Sequence, residues 1–142
     1  MSLLVALDFS TVSDGQLEIV SRLARPKREI FLLHVAEPDP SFIGMEAGPV
    51  EVRDQVAREF HREHERLQTM ADRLRASGHE ATALLVQGPT VQTILKEADR
   101  VGAEVIVVGS HGRGKLFDLV VGSVSAGVIR KAKVPVLVVP SR

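Results

Sequence analysis

Residues 105–128 read VIVVGSHGRGKLFDLVVGSVSAGV, and both the fold and the site turn on how this stretch is parsed. Val105, Ile106, Val107 and Val108 form a β-branched apolar run, the composition of a strand buried on both faces. The run stops at Gly109. A loop studded with Gly112 and Gly114 follows, and Gly122 closes it just before Ser123, where a helix is predicted over 123–131. A strand that runs through glycines into a helix N-terminus suits an anion. Glycine permits positive φ and close backbone approach, and the N–H groups of a first helical turn have no intrahelical acceptor. The expected ligand is a phosphate-bearing one, a nucleotide.

Upstream of this stretch the same alternation recurs. An apolar run at 3–7 (LLVAL) ends at Asp8 and reads as a first buried strand, with Ser10, Thr11 and Ser13 as candidate N-caps of a helix reaching Arg25, where Pro26 stops it. Further strands are predicted at 29–35 (EIFLLHV), 81–87 (ATALLVQ) and 104–108, and a last one at 136–139. A long helix is expected over 51–77, with Val52, Val56, Phe60, Leu67, Met70, Ala71 and Leu74 on one face and charges on the other. Gly88-Pro89-Thr90 turns the chain into another helix ending near Val101. Residues 36–50 carry three prolines and two glycines and are expected to form a loop too long for a plain connector.

Strands alternating with helices imply parallel pairing through right-handed crossovers, and all-apolar strands require helices on both faces. The expected fold is α/β, a doubly wound five-stranded parallel sheet within a single domain, 1–142. Ligands in such sheets bind at the carboxyl ends of strands, where the winding direction reverses. A strand order of 3-2-1-4-5 would bring Asp8 beside Gly109, so that a carboxylate able to accept from ribose hydroxyls meets the glycine loop.

Taken together, Gly109-x2-Gly112-x9-Gly122-Ser123, the opening strand ending in Asp8, LLHV at 32–35 and PVLVV at 135–139 resemble the ATP-binding universal stress proteins. The likeness spans essentially the whole chain. It implies the adenine nucleotide alpha hydrolase-like fold, binding of ATP or AMP (with Mg2+ or Mn2+ as an optional companion of the phosphates), and at most slow ATP hydrolysis. It also implies a homodimer built by antiparallel contact of the last strands, Val136–Val139, acting as a stress-response regulator or sensor. By this likeness Asp8 and Gly109 contact the ribose, and the Val35 backbone holds the adenine. Gly112, Gly122, Ser123, Val124 and Ser125 bind phosphates. Arg113, with Lys115, is a candidate cation beside them or a solvated loop residue. One departure stands out: the family often has Asp-Gly-Ser after the first strand, and here it is Asp8-Phe9-Ser10.

Other readings of these residues stay open. Asp8, Ser123 and Ser125 are also plausible helix caps, a role compatible with ligand binding. Gly109 to Lys115 spells most of a Walker A motif, but Leu116 stands where Ser or Thr would hold magnesium, so a P-loop NTPase is rejected. His61 and His64 lie one turn apart on a charge-dense helix, where a solvated face outweighs a metal site. His34 is expected as a packed core or crevice residue and His79 as a loop residue. No catalytic constellation emerges.

Composition narrows the classes further. At 142 residues, 44% hydrophobic and 25% charged, the chain has enough apolar content for a core and too much for disorder. Lys+Arg and Asp+Glu are balanced at 18 each, so no basic excess points to nucleic acid. No cysteine is present, which removes disulfides and thiol chemistry and fits a cytoplasmic setting. No apolar run approaches the ~20 residues of a membrane span. The expectation is a soluble, unprocessed protein. A weak enzyme, or a nucleotide-free interaction domain using the long helix and the 36–50 loop, are the competing readings.

Overall fold

Alternate residues of the first strand enter two different cores. In β1 (Ser2–Ala6), Leu3 and Val5 join one apolar cluster, followed by Leu7 just past the strand, while Leu4 belongs to the other. That alternation is the pleat of a strand covered on both sides. The computed structural model describes residues 2–9, 11–36, 50–110 and 122–140. The interior of the expected 36–50 loop lies outside the described residues, as do Gly112 and Arg113. Val12, Val52 and Val56 lie outside the described side chains.

The chain continues through α1 (Thr11–Leu23), β2 (Glu29–Ala36), α2 (Val50–Ala76), β3 (Glu80–Gln87), α3 (Thr90–Val101), β4 (Val105–Gly109), α4 (Ser123–Lys131) and β5 (Val136–Val139). All strand pairs are parallel, in the order β3-β2-β1-β4-β5. The expected doubly wound sheet and its order are therefore observed. Element ends differ from expectation by one or two residues, because ladder and helical bonds do not stop where the residue pattern does. Leu7, assigned to the first strand by its apolarity, lies past β1 but still donates to the Leu33 carbonyl at 2.8 Å. Gly109 joins β4 because its register partner is Val139. Ala24 lies past α1 yet donates to Val20 at 2.8 Å.

One core lies between the sheet and α1 with α2. It contains Leu17, Val20, Leu67, Ala71 and Leu74 with Leu32 and Val107 of the strands. The other lies under α3 and α4, with Ile94, Ala98 and Val128 against Leu33, Ile106 and Val108. Leu67, Ala71 and Leu74 recur at helical spacing, and that stripe docks α2. Truncating fully buried Leu67 to alanine would cost about 2–5 kcal/mol. The exposed ion pairs Arg22–Glu18 and Arg75–Asp72 are worth about 0–1 kcal/mol each, so packing governs helix placement. His79 follows α2 in the turn expected for it, but it is buried, and its Nδ1 has no hydrogen-bond partner among the described residues.

The chain moves from β1 outward to β2 and β3, then crosses to β4 on the other side of β1. The winding reverses between β1 and β4. In doubly wound sheets such a reversal is where a crevice forms, at the carboxyl ends of the two strands.

Candidate functional site

Each wall of the crevice is set by backbone bonds. β1 and β4 are registered Leu3 with Val105, Leu4 with Ile106 and Val5 with Val107. Carried forward, that register brings Leu7 level with Gly109 and Asp8 level with Ser110. Ser110 is anchored by its N–H to the Val139 carbonyl at 2.8 Å, and its own carbonyl accepts from Gly122 N–H at 2.7 Å. The two ends of the glycine-rich segment are thus closed upon each other, and α4 starts beside the end of β4.

At the start of α4, Gly122 is buried, and its carbonyl accepts the first helical bond from Ala126 at 2.9 Å. The N–H groups of Ser123, Val124 and Ser125 precede that bond and so have no acceptor within the helix. Ser123 and Val124 are exposed, and the first turn carries no acidic residue. Arg130 and Lys131 occupy the last turn, where they complement the helix dipole. An anion at this N-terminus would meet donors and the positive dipole end, with no first-turn carboxylate opposing it. Ser125 is buried, and its hydroxyl donates to the Gly109 carbonyl. Its proton therefore serves to pin α4 to β4, while its N–H belongs to the exposed turn.

On the opposite wall, Asp8 is half-buried, and its Oδ1 accepts a long 3.5 Å hydrogen bond from the Ser13 hydroxyl. That bond ties Asp8 to a side chain in the first turn of α1. Phe9 adopts φ 60, the left-handed region. This is the position at which the family pattern often has glycine, so the backbone there keeps a glycine-like conformation with a phenyl ring attached.

Val35 lies on β2, the strand on the far side of β1 from β4. Leu33 offers its carbonyl to Leu7 N–H, and Ala36 offers its carbonyl to Gly88 N–H at 3.3 Å. Parallel strands alternate the side to which successive peptide groups point. Val35 therefore directs its backbone toward the β1 side, two residues beyond the last β1 register pair, Ala6 with Leu33. Its side chain is buried in the α3–α4 core, leaving the backbone as the part that faces the crevice.

Among the described residues the fold thus brings Asp8, Val35, Gly109, Gly122, Ser123, Val124 and Ser125 to one end of the sheet. The positions of Gly112 and Arg113 fall outside those residues. No group of three or more histidine, aspartate or glutamate side chains able to hold a metal occurs among the described residues. His61 sits 3.3 Å from Glu65, and His64 lies 3.3 Å from Gln68, each engaged by a neighbour one turn on. Residue pattern did not reveal the parts that Arg66 and Glu63 play. Both come from the charged side of α2, where nothing distinguishes them from other solvated residues, yet Arg66 covers the Phe9 ring and Glu63 faces His34.

Residues 1–140 match the universal stress protein family. The chain is a member of that family. Universal stress protein YxiE of Bacillus subtilis is 30% identical over 143 residues, covering 96% of this chain and 97% of the relative. The solved structure of MJ0577, from Methanocaldococcus jannaschii, superposes with a TM-score of 0.85 at 27% identity, over 99% of this chain and 96% of that one. A universal stress protein from Archaeoglobus fulgidus, solved in complex with dAMP, superposes with a TM-score of 0.63 at 25% identity, over 98% and 97% of the two chains. This universal stress protein shares with these structures the adenine nucleotide alpha hydrolase-like fold. Among its described residues, no helix is long and apolar enough to cross a membrane.

Proposed function

We propose that the protein is an adenine-nucleotide-binding universal stress protein, a single cytoplasmic domain over 1–142 that takes ATP or AMP. The α4 N-terminus, locked to the end of β4 by Ser125 and Gly122, carries this reading, because it offers three consecutive N–H groups beside Gly109. In it the phosphates lie against Gly122, Ser123, Val124 and Ser125, with Gly112 and Arg113 completing their enclosure and Mg2+ or Mn2+ as an optional companion. Asp8 and Gly109 face the ribose, and the Val35 backbone faces the adenine edge. The dAMP complex of the Archaeoglobus fulgidus relative supports the ligand class. The protein acts as a homodimer through β5, as a stress-response regulator or sensor.

The test starts from the protein as purified, which is denatured and its supernatant resolved by ion-exchange chromatography. An adenine nucleotide recovered near one per chain is the expected result, and the ATP:AMP ratio reports any slow hydrolysis. If no nucleotide is recovered, and calorimetric titration with ATP and magnesium or with AMP gives no heat, the reading fails. The interaction-domain alternative then takes its place.

A further inference from the structure

His34 grips the chain on both sides of Asp8. Its Nδ1 lies 2.7 Å from the carbonyl of Leu7, the residue before Asp8. A carbonyl only accepts, so Nδ1 carries the proton and donates. Its ring centroid lies 4.3 Å from that of Phe9, the residue after Asp8, with the planes tilted by 33°. The histidine is itself held by burial on β2, being 8% exposed, and its Nε2 lies 3.5 Å from Glu63 Oε2. Arg66, one turn beyond Glu63 on α2, places its guanidinium carbon 4.5 Å from the Phe9 ring centroid.

This arrangement gives a reason for a bulky residue at φ 60. A phenylalanine in the left-handed region persists only where its surroundings over-determine it. Here a buried ring held by the Leu7 carbonyl and a cation from α2 both contact the phenyl group. Carboxylate recognition of ribose hydroxyls is directional and tolerates errors of only about 0.5 Å. A turn free to sample other φ values would blur it.

We propose that Phe9, His34 and Arg66 are positioning residues that hold Asp8 in the orientation a nucleotide ribose requires. This rests on the nucleotide reading above and deepens it. Glycine at position 9 would adopt the same turn without strain but would leave its orientation free. Phenylalanine exchanges that freedom for a clamp between β2 and α2.

The experiment titrates wild-type protein, Phe9→Ala, Arg66→Ala and Arg66→Lys with AMP and with 2′,3′-dideoxy-AMP, which lacks both ribose hydroxyls. Wild type should prefer AMP by about tenfold, the scale of hydrogen bonds to a charged group. Phe9→Ala and Arg66→Ala should lose most of that preference by weakening AMP, with the dideoxy compound unchanged, and Arg66→Lys should retain it. Equal loss for both ligands, or an unchanged ratio, overturns the inference, since a merely structural role would not separate them. Arg66 is exposed, so its variants decide the matter if Phe9→Ala fails to fold. Wild type that binds AMP without preferring it over the dideoxy compound overturns the positioning role alone. Wild type that binds neither overturns the positioning role for AMP, and the nucleotide reading falls as well when ATP with magnesium also gives no heat.

Discussion

The Ser125 hydroxyl donates to the Gly109 carbonyl across 16 residues of sequence, joining the first turn of α4 to the last residue of β4. Both partners flank the glycine-rich segment, so this bond helps fix where the α4 N-terminus lies relative to the sheet. Ser125→Ala leaves the carbonyl without this donor in a part-buried place. It should destabilise the fold by about 1–3 kcal/mol. Urea unfolding followed by circular dichroism reads this as a lower midpoint at unchanged slope, and a midpoint equal to that of wild type would assign the bond no structural weight.

The crossing of α3 and α4 is set by Gly127. A methyl group built there would stand 2.9 Å from Val91 Cγ2 and 3.3 Å from its Cγ1, closer than carbon atoms pack. Gly127→Ala should cost about 1–3 kcal/mol through overpacking, despite the better helix propensity of alanine. Adding Val91→Ala should recover part of that loss. A double-mutant cycle with zero coupling energy would show that the helices do not meet here.

Two glycines should respond unequally to alanine. Gly102 caps α3 at φ 66, with no atom within 4 Å of a built Cβ, so Gly102→Ala pays only the left-handed backbone cost, about 1–2 kcal/mol. Gly88, at φ 154, adds a collision, since its built Cβ lies 2.6 Å from the Thr93 hydroxyl. Gly88→Ala should therefore unfold at lower urea than Gly102→Ala. The reverse order would contradict the geometry of the β3–α3 turn.

The proposed homodimer can be tested on the β5 edge. The carbonyls of Pro135 and Val139 face β4, accepting from Ile106 at 3.0 Å and Ser110 at 2.8 Å. By strand alternation the peptide groups of Val136 and Val138 face outward. The Val138 side chain packs against the α3–α4 core, so a charge there would disturb the monomer too. Val138→Pro removes an outward N–H, which an edge strand tolerates, and keeps an apolar side chain of similar size against that core. Light scattering should then report the monomer mass with circular dichroism preserved, and a persisting dimer would exclude this interface.

Much of the fold was legible because its signals are local. Runs such as those at 30–33 and 105–108 are apolar at every position, as a strand covered on both faces requires, and the spacing of Leu67, Ala71 and Leu74 announces a docked helix. The junction of β4 and α4 was legible for the same reason: Gly109 and Ser123 lie at the strand end and the helix start within one continuous stretch. The opposite end was less so. Phe9 stood out as a departure from glycine, but its conformation depends on His34 and Arg66, which residue pattern did not link to it.

The sequence by itself determined the alternation of strands and helices, the five-stranded α/β class and the strand end at Gly109 and helix start at Ser123, because strand burial and helix periodicity are written in neighbouring residues. Only the tertiary structure decided that His34 holds Leu7 and Phe9 on either side of Asp8 while Arg66 reaches over from α2. Side chains far apart in the chain meet where packed elements bring them together, and no local pattern records that meeting.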